Sequence, residues 1–309
     1  MTRVAAVDCG TNTLRLLIAD LDPVTGTEHE LVREMRVVRL GQDVDRTGRL
    51  ADEALERVFN AVDAYAATIG QASVDVVRVC ATSAARDAAN AEVFIAGIKE
   101  RLGVVPDVIT GAAEAQLTFA GATRSLPGDL HGPVMVVDIG GGSTELIIGD
   151  IDGTVSAAHS LDIGSVRMTE RHLRSDPPST DEVASMTAEI EGALDELETH
   201  GVHIENANTL VGVAGTITTV AAAILELEEY DRTRIHHATL PRAEVRRISR
   251  RLLGLTVEER RALPFMHPGR ADVIGAGALI LSRIAVRASV DELLISEADI
   301  LDGIAWSVA

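Results

Sequence analysis

Residues 4–22 read VAAVDCGTNTLRLLIADLD, and residues 134–152 read VMVVDIGGGSTELIIGDID. At a constant offset of 130 the identical pairs are Val4/Val134, Val7/Val137, Asp8/Asp138, Gly10/Gly140, Leu16/Leu146, Ile18/Ile148, Asp20/Asp150 and Asp22/Asp152. That is eight of nineteen positions without a gap, where about one or two coincidences are expected at ordinary composition. Each copy has a β-branched run ending in Asp, a small-residue turn and a second apolar run, which predicts a hairpin with a glycine-rich corner. The carboxylates of Asp8 and Asp138 therefore stand at strand ends beside tight loops, and the chain reads as a duplicated unit.

Working outward, the first copy is followed by a third strand (His29–Leu40), a helix (Asp52–Gly70), a strand (Val74–Cys80), a helix (Asn90–Leu102), a short strand (Asp107–Thr110) and a helix (Ala112–Arg124). Strands mixed with helices in this order predict a layered α/β domain. The Pro- and Gly-rich run Ser125–Pro133 marks the boundary, giving domains 1–125 and 126–309. The second unit repeats the theme with a strand near Thr154–Asp162, helices at Ser165–Arg174 and Asp181–His200, a strand Thr209–Val213 and a helix from Gly215. Pro241 is expected at N1 of a further helix, and two more precede a strand Glu292–Ser296 and a last helix from Ala298. The expected picture is two α/β lobes facing each other across a cleft.

Composition narrows the function. The 309 residues are 46% hydrophobic with a formal charge of −19 and only seven aromatics. The charge argues against duplex nucleic acid and anionic membrane, and the scarcity of aromatics argues against base-stacking platforms. A polyanionic ligand would need local positive charge or a metal. Lys99 is the only lysine among 28 basic residues. Cys9 and Cys80 lack metal-ligand spacing and read as buried free thiols in a reducing cytoplasm. The apolar runs Gly212–Leu225 and Val273–Leu281 are short of the roughly 18 residues a membrane helix needs.

Four loops carry candidate chemistry. Gly140-Gly141-Gly142-Ser143 follows Asp138 and precedes Glu145, and consecutive glycines let backbone amides converge on an anion. A strained hairpin corner explains the triplet equally well. Gly10-Thr11-Asn12-Thr13 is its first-copy counterpart. Gly215 and Thr216 follow an apolar strand and open a helix, the arrangement of an anion or nucleotide site or of a close-packed β–α connection. Ala81–Asp87 places small hydroxyl residues and Arg86 after a strand. Arg15 stands where the second copy has Glu145: either two lobes grip opposite ends of a phosphate chain, or the exchange is an accident on a solvent-facing hairpin. Arg242, Arg246 and Arg250 form a basic stripe that either guides a polyanion or is a solvated helix face, and His236-His237 reads as structural.

In order along the chain, the two Asp-x-Gly loops, ATSAARDAAN, ITGAAEAQLTFAG, DIGGGSTEL, GVAGTITT and RADVIGAGALIL resemble the exopolyphosphatase and guanosine pentaphosphate phosphatase (Ppx/GppA) family, of the actin, sugar-kinase and Hsp70 ATPase (ASKHA) superfamily. The resemblance spans nearly the whole chain and implies an α/β fold of two duplicated actin-like, ribonuclease H-like domains, as in the short members of the family. It implies that Glu114 is the base that activates water, and that Asp138 and Glu145 bind metal and position water. Asp8 is expected to join them in holding Mg²⁺ or Mn²⁺. Gly10, Thr11, Asn12, Thr13, Arg86, Gly140, Gly141, Gly142, Ser143, Gly215 and Thr216 are expected to bind phosphate. Two positions depart from the family pattern: Ala113 replaces the first Glu of the usual pair, and Ser296–Asp299 replaces small or apolar residues, so no role is carried onto it.

The implied activity is metal-dependent removal of terminal orthophosphate from inorganic polyphosphate by a cytoplasmic homodimer. Such chemistry needs an in-line water, a base and charge stabilisation of the transferring phosphoryl group, and a metal reconciles a −19 protein with a polyanion. The nearest rival is the same reaction on guanosine pentaphosphate (pppGpp). A sugar or acid kinase would need an Asp base facing an acceptor hydroxyl, and a non-catalytic regulator that binds the alarmone ppGpp would leave the carboxylates vestigial.

Overall fold

The structure, a computed structural model, describes residues 1–128 and 130–309; Asp129, inside the boundary segment Ser125–Pro133, lies outside the described residues. Two compact units emerge: residues 1–121 together with 299–309, and residues 122–298. The expected boundary at 125/126 differs in two ways. The division falls within the helix Gly111–Arg124, and the last eleven residues, expected in the second domain, fold with the first.

In the first unit, β1 (Thr2–Cys9), β2 (Thr13–Asp22) and β3 (Thr27–Val37) form an antiparallel meander, and β4 (Val76–Ala81) and β5 (Asp107–Val108) continue the sheet in parallel, in the order β3-β2-β1-β4-β5. In the second, β6 (Val134–Ile139), β7 (Thr144–Gly149) and β8 (Val155–Leu161) repeat the meander, and β9 (Thr209–Val213) and β11 (Glu292–Ile295) run parallel beyond it. A short antiparallel β10 (Thr239–Pro241) completes the order β10-β11-β9-β6-β7-β8. The core order is therefore the same in both units, as a duplicated α/β unit requires. The repeat extends to the register: Asp8 faces Arg15 across β1 and β2, and Asp138 faces Glu145 across β6 and β7.

The inner strands form where apolar β-branched residues run continuously, since both faces of the sheets are covered there. Every residue of β6 and β7 is buried. One face of the first sheet packs on the helix Asp52–Gln71, whose Leu55, Val58, Val62 and Tyr65 recur at helical spacing and join the core of Val7, Leu16 and Ile18. The opposite face, Val4, Ala6, Leu17 and Ala19, packs on Ile300, Leu301 and Ile304 of the C-terminal helix Ile300–Trp306. That apolar contact explains why the C-terminus belongs to the first unit.

Smaller differences from the sequence reading have local causes. β3 ends at Val37, not Leu40, because the amides of Val38 and Arg39 turn to the carbonyl of Asn12 at 3.0 and 2.9 Å. Pro241 is an N-cap and not N1, because it still pairs with Glu292 in the β10–β11 ladder. The helix expected to reach His200 ends at Asp195 and tightens into a 3₁₀ turn over Glu196–His200.

The C-terminal helix approaches the helix Gly111–Arg124 so closely that a Cβ on Gly303 would lie 2.0 Å from the carbonyl oxygen of Leu117, and one on Gly121 would lie 1.9 Å from that of Asp299. Backbone cannot yield as a side chain does. Gly303→Ala is therefore expected to lower stability by about 1–3 kcal/mol or more, read as a reduced midpoint in urea denaturation, whereas Gly254→Ala, with open space around it, is expected to leave the midpoint unchanged or higher.

Candidate active site

In the first unit, the Gly10–Thr13 turn closes with the Gly10 amide on the Thr13 carbonyl at 3.0 Å. The Thr11 hydroxyl meets that of Ser83 at 2.8 Å, and the carbonyl oxygens of Thr11 and Asn12 accept from the amides of Gly41, Val38 and Arg39. The loop's carbonyl side is thus committed to residues 38–41. Arg86, expected to hold phosphate, donates through Nη1 to the Ile109 carbonyl and to Glu114 Oε2, each at 3.1 Å. Glu114 is buried in the first turn of its helix. The two residues that the sequence placed 28 positions apart are therefore an ion pair.

Asp8 is buried at the end of β1, and its pKa is pushed up by burial, against the pull of Arg15. Arg15 Nε and Nη2 both donate to Asp8 Oδ2, at 2.9 and 2.7 Å, while Nη1 donates to Asp299 Oδ2. Asp8 Oδ1 is buried without a hydrogen-bond partner. Burial also raises the Asp299 carboxyl, but Arg15 and the Leu301 amide outweigh it and leave its pKa lowered. Neither reading of Arg15 survives: it is neither a phosphate grip nor a solvent-facing accident, but the cation between two buried carboxylates. Asp299, given no role in the sequence reading, is the second of them. The only hint was its departure from the family's small or apolar residues.

In the second unit, the same turn recurs, with the Gly140 amide on the Ser143 carbonyl at 3.0 Å. The carbonyls of Gly140 and Gly141 accept from the amides of Ser165, Val166 and Arg167, and that of Gly142 from Arg167 Nε at 2.7 Å. A Cβ on Gly164 would lie 2.4 Å from the Gly141 carbonyl oxygen, so glycine is required there for the loop to seat on the start of the helix Ser165–His172. With its carbonyls consumed inside the unit, such a loop offers an anion its amide side. Asp138 and Glu145 are both buried at the turn end of the hairpin, one pair from the glycine loop, and Ser160 Oγ donates to Glu145 Oε1 at 2.7 Å.

Gly215 and Thr216 lie in the first turn of the helix Ala214–Ile224, entered through Ala214 at φ 66°. Arg270 donates to the Gly215 carbonyl and to Thr219 Oγ1, each at 3.3 Å, and a Cβ on Gly215 would lie 2.1 Å from Arg270 Nη2. The glycine is what lets an arginine stand over this helix start. Arg270 belongs to the RADVIGAG run but was not singled out, because the run alone does not indicate what its arginine touches.

Among the described residues, no three His, Cys, Asp or Glu side chains cluster as a closed metal cage. The carboxylate set fits Mg²⁺ or Mn²⁺ held in the Mg²⁺ manner, by one or two carboxylates with water and phosphate oxygens filling the remaining positions. In the second unit, Asp138 and Glu145, paired in register beside the glycine loop, are oxygen donors of the kind such an ion takes; in the first unit, the bare Oδ1 of Asp8 is a donor of the same kind.

Residues 18–308 match the Ppx/GppA phosphatase family. The chain is 47% identical to exopolyphosphatase 2 of Mycobacterium tuberculosis, over 100% of this chain and 99% of that protein. The crystal structure of the Ppx/GppA family member of Aquifex aeolicus superposes with a TM-score of 0.83 at 31% identity, covering 99% of this chain and 97% of that one. An exopolyphosphatase from Cytophaga hutchinsonii superposes at 0.91 and 28% identity, with 99% and 97% covered.

Removing the Ser160 hydroxyl takes a donor from a buried carboxylate. Ser160→Ala is expected to cost about 1–3 kcal/mol of stability by urea denaturation, and Ser160→Thr, which keeps the hydroxyl, less.

Proposed function

The chain belongs to the Ppx/GppA phosphatase family, and from that premise we propose that it is an exopolyphosphatase that releases terminal orthophosphate from inorganic polyphosphate. The observation that carries the reading is the buried pair Asp138 and Glu145, facing each other in register beside a glycine loop whose carbonyl oxygens are turned away into the unit. Two carboxylates side by side are oxygen donors of the kind a divalent cation takes, and a loop presenting amides suits phosphate oxygens. A phosphoanhydride brought in with a divalent metal satisfies both.

In this reading Gly140–Ser143 and Gly10–Thr13 bind phosphate oxygens, as do Gly215 and Thr216. Arg270, standing over the Gly215 carbonyl, adds positive charge that a polyanion meets on a −19 chain. Glu114 takes the proton of the attacking water as the oxygen adds to the terminal phosphorus and the bond to the bridging oxygen breaks; orthophosphate and a chain one unit shorter leave. Arg86, paired with Glu114 at 3.1 Å, holds that carboxylate in place. In the second unit Asp138 and Glu145 would hold the metal, and Ser160 orients Glu145; in the first unit the bare oxygen of Asp8 is a cation acceptor. A bound Mg²⁺ or Mn²⁺ would neutralise charge developing on the transferring phosphoryl group. The reading extends to a cytoplasmic homodimer. The buried thiols of Cys9 and Cys80 support a reducing compartment, and the dimer rests on the family resemblance. Among the described residues no helix is long and apolar enough to cross a membrane.

The test is orthophosphate release with Mg²⁺ from short polyphosphate, long polyphosphate and pppGpp, side by side. Release from polyphosphate is expected, with Glu114→Ala reducing turnover by about 10²–10⁴-fold. Release from pppGpp alone would assign the alternative substrate, and none from any of the three would overturn the reading. Chelation with EDTA is expected to abolish release, and added Mg²⁺ to restore it.

A further inference from the structure

The two hairpins of the repeat solve the same electrostatic problem differently. In the second unit Asp138 faces Glu145. In the first, Asp8 faces Arg15, so its cation is part of the chain. An Arg side chain ordinarily grips a carboxylate with one nitrogen on each oxygen. Here Nε and Nη2 both fall on Oδ2 and leave Oδ1 bare in a buried site. The third contact explains the departure. Nη1 is drawn to Asp299 Oδ2, on the far side of the guanidinium, so the group cannot turn to share itself over both oxygens of Asp8. Asp299 is itself held from the other direction. Its Oδ1 accepts from the Leu301 amide and its own amide donates to Asp302 Oδ2, both at 2.9 Å, as the N-cap of the C-terminal helix. Cap and ion pair use different oxygens of one carboxylate.

We propose that Arg15 and Asp299 are positioning residues for Asp8: Asp299 restrains the guanidinium so that it locks one oxygen of Asp8 and leaves the other open to the divalent cation that accompanies the phosphate chain. This rests on the reading of Asp8 given above. It makes the C-terminal eleven residues part of the site's machinery and not only of the first unit's core. Its specific consequence is that neutralising Asp299 without losing the cap lets Arg15 close on Oδ1, so that removing a distant carboxylate imitates removing Asp8 itself.

The experiment uses the full chain with Mn²⁺ as probe, titrated by calorimetry without substrate, alongside turnover on polyphosphate. Asn ranks with Asp as an N-cap, so Asp299→Asn keeps the helix start while removing the negative charge that Arg15 meets there. Asp299→Ser serves if the Asn variant does not fold, and far-UV circular dichroism checks both. Asp299→Asn is expected to weaken Mn²⁺ binding by about 10–100-fold, the range for groups that act through a ligand's neighbour. It is expected to match Asp8→Asn, and the double variant to be no worse than either single one. Arg15→Gln placed on the Asp299→Asn background removes the guanidinium that would close on Oδ1, and is expected to restore Mn²⁺ binding. A merely structural Asp299 predicts no such rescue. Wild-type Mn²⁺ affinity in Asp299→Asn or in Asp8→Asn, losses that multiply in the double variant, or failure of Arg15→Gln to rescue would each overturn the proposal. A chain that releases no phosphate from polyphosphate would overturn the exopolyphosphatase reading instead, and the Mn²⁺ titration would still decide this one.

Discussion

The register of the first hairpin in each unit governs what its strand-end aspartate can do. Shifting an antiparallel pair by one residue turns every side chain to the opposite face, so the partner of Asp8 or Asp138 is set by the whole run of apolar residues behind it. Those runs, buried throughout β6 and β7 and almost throughout β1, tolerate no slip. They fix Arg15 opposite Asp8 and Glu145 opposite Asp138. From one inherited geometry the duplication thereby obtains a self-neutralised carboxylate in one unit and an acidic pair in the other.

Burying charge is costly unless each ion is paired and its remaining hydrogen-bonding capacity met. The first unit meets this with an odd set, two carboxylates on one guanidinium, and the leftover acceptor is the single oxygen Asp8 Oδ1. Another buried charge of the chain is met more fully. Arg260, almost wholly buried, donates to the carbonyls of Leu255, Ala271 and Asp272.

Glycine plays a second organising role where backbone must meet backbone or a guanidinium. Gly164 lets the glycine loop of the second unit seat on a helix start, Gly215 admits Arg270, and Gly121 and Gly303 bring the C-terminal helix onto the helix that carries Glu114. Each lies outside the glycine triplet that first draws the eye. In each unit their effect is to hold a loop or helix in a fixed place, because the backbone contacts they permit leave no room for a Cβ.

Much of this was legible in the amino-acid order. The repeat at residues 4–22 and 134–152 implied two α/β units with an Asp at each strand end, because alternation, strand length and a glycine corner are local properties. The ordered motifs pointed to Asp138, Glu145 and Glu114 as candidates. What only the tertiary structure decided were the partnerships. Arg86 meets Glu114, Ser160 meets Glu145, Arg270 stands over Gly215, and Asp299 reaches back 284 residues to Arg15. The return of residues 299–309 to the first unit was hidden for the same reason: the apolar face of that helix is evident in sequence, but which sheet it covers depends on shape and close backbone approach at Gly121 and Gly303. Pairings between residues distant in the chain leave no spacing to read, because packing and charge act on distance in space and not on distance along the backbone.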